Sequence, residues 1–386
     1  MVQWAVGSSV PFFPRSGGHS EWSTIGEDGI IIDLSKCHGI DIDAAGRKAT
    51  LRGSILSKQV AVALADAGFF TALENGNTVG AIPYFLGGGA SLTTLITGFG
   101  SDQILSARMI DATGNIIEVT DEKQPDLLWA IRGAGQFFGL VTELTIKICP
   151  LSDLGNDQGV IWVGNFVFPL ERADEVAHTM KLLMNDGSKA TAGLMMIMAP
   201  PPTRKPAVVI AARFTGRPKR SGGRVQAPNA SDGREAMAAK GDFKRFGVVG
   251  LRRFDVGRFL QTVDIWKRLQ SECPDAINTA FNFQWDSRPP RVPDFDSSMS
   301  LHDIRYWQNN LIWHTDASSR QRVDELNDEC IATMRGSDRS EYADFQNGTR
   351  TGPIELRFRG EGKLEKLKSL KKQWDPQGVV TKQLLD

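Results

Sequence analysis

"PRSGGHSEW", Pro14 to Trp22, follows a short apolar run and sets an arginine, a serine, two glycines and a histidine in consecutive positions. Glycine lets a backbone turn through positive φ, or approach another group without a Cβ in the way. His19 could therefore be a ligand, a base, an attachment point or a turn residue, and the stretch alone does not choose. A metal role is poorly supported. His19 and Glu21 stand two apart, and no other His, Cys or carboxylate cluster joins them.

Two further glycine-rich joints lie downstream. "VGAIPYFLGGGAS" (Val79 to Ser91) places Gly87, Gly88 and Gly89 in a row, and "RGAGQFFG" (Arg132 to Gly139) links a helix to a strand. The last is not a dinucleotide fingerprint. Gly133, Gly135 and Gly139 are spaced G-x-G-x-x-x-G, and the joint follows a helix rather than a strand. No P-loop lysine follows any of the clusters. Three such joints in one block suit a large phosphate-bearing cofactor, whose anionic oxygens take backbone N–H groups. Tight turns are the alternative reading of each joint taken alone.

The bulk numbers narrow the classes. The 386 residues allow two domains or one with an insertion. Lys+Arg and Asp+Glu both number 45, and this balance argues against a nucleic-acid binder. No apolar run approaches the roughly 20 residues of a membrane span, so no membrane partner is expected. The start "MVQWAVGSSVPFFP" does not read as a secretory signal. Cys37, Cys149, Cys273 and Cys330 are scattered with no C-x-x-C spacing, which disfavours a zinc site or a disulfide framework. The sequons at Asn229 and Asn347 are short enough to arise by chance, and the compartment stays open.

Up to residue 150, short strands and helices alternate. "IIIDLS" (Ile30 to Ser35), "RKATLRGS" (Arg47 to Ser54) and "LVTELTIKI" (Leu140 to Ile148) read as strands. "SKQVAVALADAGF" and "QPDLLWAIRGAG" read as helices, and "DATGN" as a hairpin turn between "ILSARMI" and "IIEVT". After Cys149-Pro150 come "GVIWVGNFVF", the helix "ERADEVAHTMKLLMN", "GLMMIMA", "DIRYWQNNLIW" and the helix "SSRQRVDELNDECIATM". Gly216 to Gly241 is polar and glycine-rich and reads as a mobile surface loop. "GKLEKLKSLKKQW" closes the chain as a basic amphipathic helix stopped at Asp375-Pro376.

Taken in order, "PRSGGHS", "TVGAIPYFLGGG", "SDQILSARMIDATGN", "PDLLWAIRGAGQFFGLVTELTIKI" and "LKKQWDPQGVVTKQLL" resemble one family. It is the FAD-linked oxidoreductases of the berberine bridge enzyme-like group, within the vanillyl-alcohol oxidase and p-cresol methylhydroxylase (PCMH-type) superfamily, with fungal members nearest in style. The resemblance is strong over residues 15–150 and from about Tyr342 onward. It implies an α+β fold in which an FAD-binding domain (residues 1–150 and 336–386) carries an inserted substrate domain (151–335), an antiparallel sheet backed by helices.

The resemblance also assigns roles. His19 matches the histidine that carries the flavin on its 8-methyl carbon, with Arg15, Ser16, Gly17, Gly18 and Ser20 around the pyrophosphate. Backbone contacts carry over to Gly80, Gly87, Gly88, Gly89, Gly139 and Val141. The second tether of many relatives, a cysteine, is Gly76 here, so at most one covalent bond is expected. "EYADF" matches a Y-x-N-Y/F segment and makes Tyr342 a candidate base, with Asp344 in the asparagine's place and Phe345 as the second aromatic. His314 and Tyr306 are further candidates; each of the three has a core or structural reading beside it. Against the family pattern the chain begins inside the opening strand–helix–strand unit, which reads as an N-terminal truncation. The implied activity is oxidation of a small organic substrate at CH–OH or CH–NH, in fungal secondary metabolism, by hydride transfer to FAD with dioxygen as acceptor. A non-redox cyclase and a cofactor-free relative are the alternatives.

Overall fold

The computed structural model describes residues 1–19, 25–74, 76–156, 159–185, 191–215, 224–226, 241–344 and 353–380. The chain is α+β. Helix α1 (Val2–Gly7) and the parallel pair β1 (Phe12–Arg15) and β2 (Ile30–Asp33) open it. There follow β3 (His38–Asp43), β4 (Lys48–Gly53), α2 (Ser57–Asp66), β5 (Phe69–Phe70), α3 (Ala81–Leu86) and α4 (Thr94–Thr97). Next come β6 (Ile104–Ile110), β7 (Ile116–Val119), α5 (Pro125–Ala134), β8 (Leu140–Lys147) and β9 (Cys149–Pro150). Five of these strands form an antiparallel sheet in the order β3-β4-β8-β6-β7.

Local chemistry explains the boundaries. Pro125 sits at the first position of α5, where its missing N–H costs nothing. Gly68, at φ 84°, turns the chain after α2. The turn after β6 closes on Asp111, whose carboxylate accepts from the backbone N–H groups of Thr113 and Asn115 at 2.9 Å each.

The second sheet is built from β10 (Ile161–Pro169), β11 (Thr191–Met198), β12 (Ala207–Phe214), β13 (Arg224–Gln226), β14 (Phe243–Leu251), β15 (Ala280–Asp286), β16 (Tyr306–His314) and β17 (Tyr342–Ala343). Its order is β13-β10-β12-β11-β15-β16-β14-β17, all antiparallel. Helices α6 (Ala173–Met184), α7 (Val256–Glu272) and α8 (Arg320–Arg335) cover one face and share a core with it. The last helix, α9 (Lys363–Trp374), returns to the first sheet, burying Leu364, Leu367 and Leu370 in the core of β4, β6 and α5. In its last turn Lys371 donates to Phe137 O at 2.7 Å and to Val380 O, clipping the tail beside the third glycine joint.

The segment read as a surface loop, Gly216 to Gly241, lies outside the described residues except for Gly241 and the edge strand Arg224–Gln226. Strands β12, β14 and β15 and helix α7 were not anticipated from the sequence pattern.

Candidate functional site

The three glycine joints meet around the short helix α3. At its start, Gly17 lies against the backbone of Thr78 and Gly80, where a Cβ on Gly17 would strike the Thr78 carbonyl. A Cβ on Gly80 would strike the Ser16 side chain. Both positions are glycine because two backbones touch there. At the end of α3, Gly88 and Gly89 take φ of 110° and 76°. Their carbonyls accept from Ser101 N and Gly100 N, both at 2.8 Å, which closes the second joint. In the third joint α5 breaks at Arg132 and Gly133 (φ 130°). Gly135 then fits so closely that a Cβ there would lie 3.0 Å from the Leu86 Cβ. One helix of six residues, roughly 9 Å long, thus gathers all three joints.

Each joint also carries a buried polar side chain with no hydrogen-bond partner among the described residues. These are Ser16 Oγ in the first, Ser101 Oγ on the turn that closes the second, and the Gln136 carboxamide in the third. Leaving such a group unpaired costs about 1–3 kcal/mol. A ligand bearing both donors and acceptors across the three joints would relieve all of them, and FAD, with its diphosphate and ring carbonyls, fits that requirement.

The other anticipated contacts have mixed placements. Arg15 Nη1 is 3.4 Å from Asp33 Oδ2 at the surface, so its charge is engaged by β2. Gly18, at φ 72°, turns the loop back over the Arg15 side chain. His19 is exposed, with Nε2 at 2.8 Å from Thr78 Oγ1, which orients its ring over the second segment. Gly139 lies against the Ile110 carbonyl. Val141 points into the core of the first sheet, so only its backbone is available to a ligand. Ser20 and Phe345 lie outside the described residues.

The face of the second sheet away from α6–α8 turns toward these joints. Gln284 Nε2 donates to Ser91 O at 3.3 Å, just past the second joint, and Trp307 meets Phe99 edge to face at 6.4 Å. Register places Gln284 opposite Trp307 and Asn282 opposite Asn309, all on this face. Leu194 stands opposite Gln284, Met196 opposite Asn282 and Val248 opposite Asn309, and all three are half-buried. Asn282 Oδ1 and Asn309 Oδ1 are buried and have no partner among the described residues.

Asp286 ends the same row of alternating side chains. It is buried, and its Oδ1 has no partner among the described residues. Burial pushes its carboxyl up to about 8, although Arg305 and Arg213 pull the other way. The Arg305 guanidinium is occupied by the backbone carbonyls of Asp286, Met184 and Ser287.

The three anticipated catalytic residues are placed elsewhere. Tyr306, Leu251 and Tyr342 form one cross-strand row on the helix-covered face, within the second core. Tyr306 stacks on Phe283 at 5.7 Å, and burial raises its phenol further from the range of a base. The Tyr342 ring lies beneath the Arg335 guanidinium at 5.7 Å, and Asp344 is ion-paired to the same arginine. His314 stands at the far end of β16 from Tyr306, roughly 27 Å along the strand. There it stacks on Phe243 at 5.0 Å, with Nδ1 at 2.8 Å from Asp316 O. Tyr306 and Tyr342 thus share a row while His314 lies at the far end of its strand, and the opposite sheet face carries Asp286, Gln284, Asn282 and Asn309. The signal that could have found them is the alternation in "AFNFQWD", polar on one face and aromatic on the other.

The glycine joints thus face the polar side of the second sheet. The FAD binding domain family matches residues 1–120. The FAD-linked oxidoreductase hasG of Aspergillus fumigatus is 27% identical, with 98% of this chain and 87% of hasG covered. Among solved structures, BBE-like 1 of Physcomitrella patens superposes with a TM-score of 0.81 at 16% identity, covering 100% of this chain and 88% of that one. Glucooligosaccharide oxidase from Acremonium strictum, described with a 6-S-cysteinyl, 8α-N1-histidyl FAD, gives 0.80 at 20% identity over 98% and 86%. The chain is similar to FAD-linked oxidoreductases over nearly its whole length, carries an FAD binding domain at residues 1–120 and has the berberine bridge enzyme-like fold, with FAD as its cofactor.

Proposed function

We propose that the protein oxidises a small organic substrate at a CH–OH or CH–NH carbon, with dioxygen as the final acceptor, in a fungal secondary pathway. The observation that carries this reading is Asp286, a buried carboxyl on the sheet face turned to the glycine joints, with its proton affinity raised to about 8. FAD, when bound, supplies the acceptor for the hydride leaving the substrate carbon.

The chain's own residues do the rest. Asn282, Asn309 and Gln284 offer hydrogen bonds to the substrate's polar groups, and Leu194, Met196 and Val248 exclude water beside them. Asp286, once ionised, takes the hydroxyl or amine proton at its free carboxylate oxygen while the adjacent C–H bond breaks. Arg305 and Arg213 stabilise the carboxylate during that interval. The names of the relatives support oxidase chemistry on small molecules, sugars among them.

His19 is the proposed attachment point. Its Nε2 lies 2.8 Å from Thr78 Oγ1, which orients the ring beside the first joint. Gly76, where a second tether would sit, offers no sulfur.

Anaerobic mixing of the holoprotein with candidate alcohols and amines tests the reading. Bleaching of the visible flavin band by one substrate class, and hydrogen peroxide on admitting air, are expected. A flavin that no oxidisable substrate bleaches would contradict it.

A further inference from the structure

Residues 287–305, which link β15 to β16, leave the second sheet and cross the cofactor module. They carry no helix or strand. Ser298 N donates to Trp129 O at 3.1 Å, and Met299 N to Arg132 O at 3.0 Å. The Ser298 hydroxyl, fully buried, lies 2.9 Å from Ala130 O and 3.1 Å from Arg132 O. These carbonyls stand where α5 breaks into the third glycine joint, so the crossing segment replaces the helix's own bonds. Phe295 lies under the Arg132 guanidinium at 4.1 Å and completes the clamp.

The same segment reaches the second joint. His302 Nε2 is 3.0 Å from Asp102 Oδ1, and Asp102 Oδ2 accepts from Phe99 N at 2.8 Å. That carboxylate fixes the turn whose Gly100 and Ser101 amides hold the Gly88 and Gly89 carbonyls. His302 also meets Phe99 edge to face at 5.6 Å. One strap from the second sheet thus pins two of the three glycine joints, the third joint through Ser298 and its neighbours and the second through His302.

We propose that Ser298 and His302 are positioning residues for FAD, acting through the Arg132–Gly133 break and through Asp102. The cofactor site is then completed by the second sheet rather than by the first module alone. The proposal rests on the flavin lying at the glycine joints, and its test does not use turnover.

The test compares Ser298→Ala, His302→Leu and His302→Gln with wild type. Asp296→Ala is the control, because it removes two other strap contacts, the Trp129 indole bond and the Lys363 ion pair, while leaving the Ser298 and His302 bonds in place. Flavin per chain and the visible circular dichroism of the bound flavin are read on protein whose far-ultraviolet spectrum is native. Ser298→Ala and His302→Leu are expected to lower flavin content about twofold or more and to change the dichroism of what remains. His302→Gln, which keeps a donor, is expected to restore both, and Asp296→Ala to match wild type. Native flavin content and dichroism in Ser298→Ala and His302→Leu overturn the proposal, as does an equal loss in Asp296→Ala. Should Ser298→Ala fail to fold, the His302 pair, at a partly exposed site, decides alone. A wild type that takes up no FAD overturns the cofactor placement itself, and is seen before any variant is made.

Discussion

Asp286 and Arg213 flank Ala192 on one face of the second sheet, the carboxyl on one neighbouring strand and the guanidinium on the other. Arg213 and Arg305 both favour the ionised carboxyl, yet burial outweighs them and leaves Asp286 near 8. The group therefore changes charge within the working range of a base.

Substrate oxidation is predicted to rise with pH and level off above about 8, because only ionised Asp286 accepts the proton. In Asp286→Asn that limb disappears, and the rate of flavin reduction falls by about 10²–10⁴. Rapid-mixing measurements of both proteins across the pH range check this.

Stability carries the opposite sign. A carboxyl raised in the fold binds its proton more tightly there than in the unfolded chain, so its contribution is fully present below the unfolded value near 4 and is lost as pH rises through about 8. Asp286→Asn is predicted to melt above wild type at alkaline pH, with the gap closing in acid. Thermal unfolding at several pH values reads it.

Tyr306→Phe and Tyr342→Phe are predicted to keep near-native turnover, since both rings lie in the helix-covered core. Tyr306→Ala should instead cost about 3–5 kcal/mol of stability through the cavity it leaves. The chain has three tyrosines, and the third, Tyr84, is buried with its hydroxyl on Ala90 O at 2.9 Å. A large loss of rate in either Phe variant would return the base to a phenol.

Asn282→Leu is predicted to raise KM about tenfold with little change in kcat, the pattern of a group that holds substrate and transition state alike. Steady-state kinetics on the substrate found by bleaching would show it. A fall in kcat alone would move Asn282 from binding to chemistry.

Much of the cofactor module was legible because its constraints are local. Gly88, Gly89 and Gly133 need positive φ, Gly17 and Gly80 need contact without a Cβ, and such demands leave glycine clusters in the sequence. Pro125 and the Asp111 turn announce their elements in the same way. The polar face of the second sheet was not legible, because which face a strand residue occupies depends on partners far away in the chain. Tyr342 is turned to the helix-covered face by pairing with Leu251, and Asn282 to the opposite face by pairing with Asn309. The strap was hidden for a related reason: Ser298 and His302 act on carbonyls and a carboxylate some 170 to 200 residues earlier.

The most direct test of the whole account is the visible spectrum of the purified protein equilibrated with FAD, taken again after acid precipitation. A stoichiometric flavin spectrum is predicted, with colour retained in the precipitate of wild type and released from His19→Ala. A protein that stays colourless would contradict the cofactor site at the three glycine joints, and with it the oxidase.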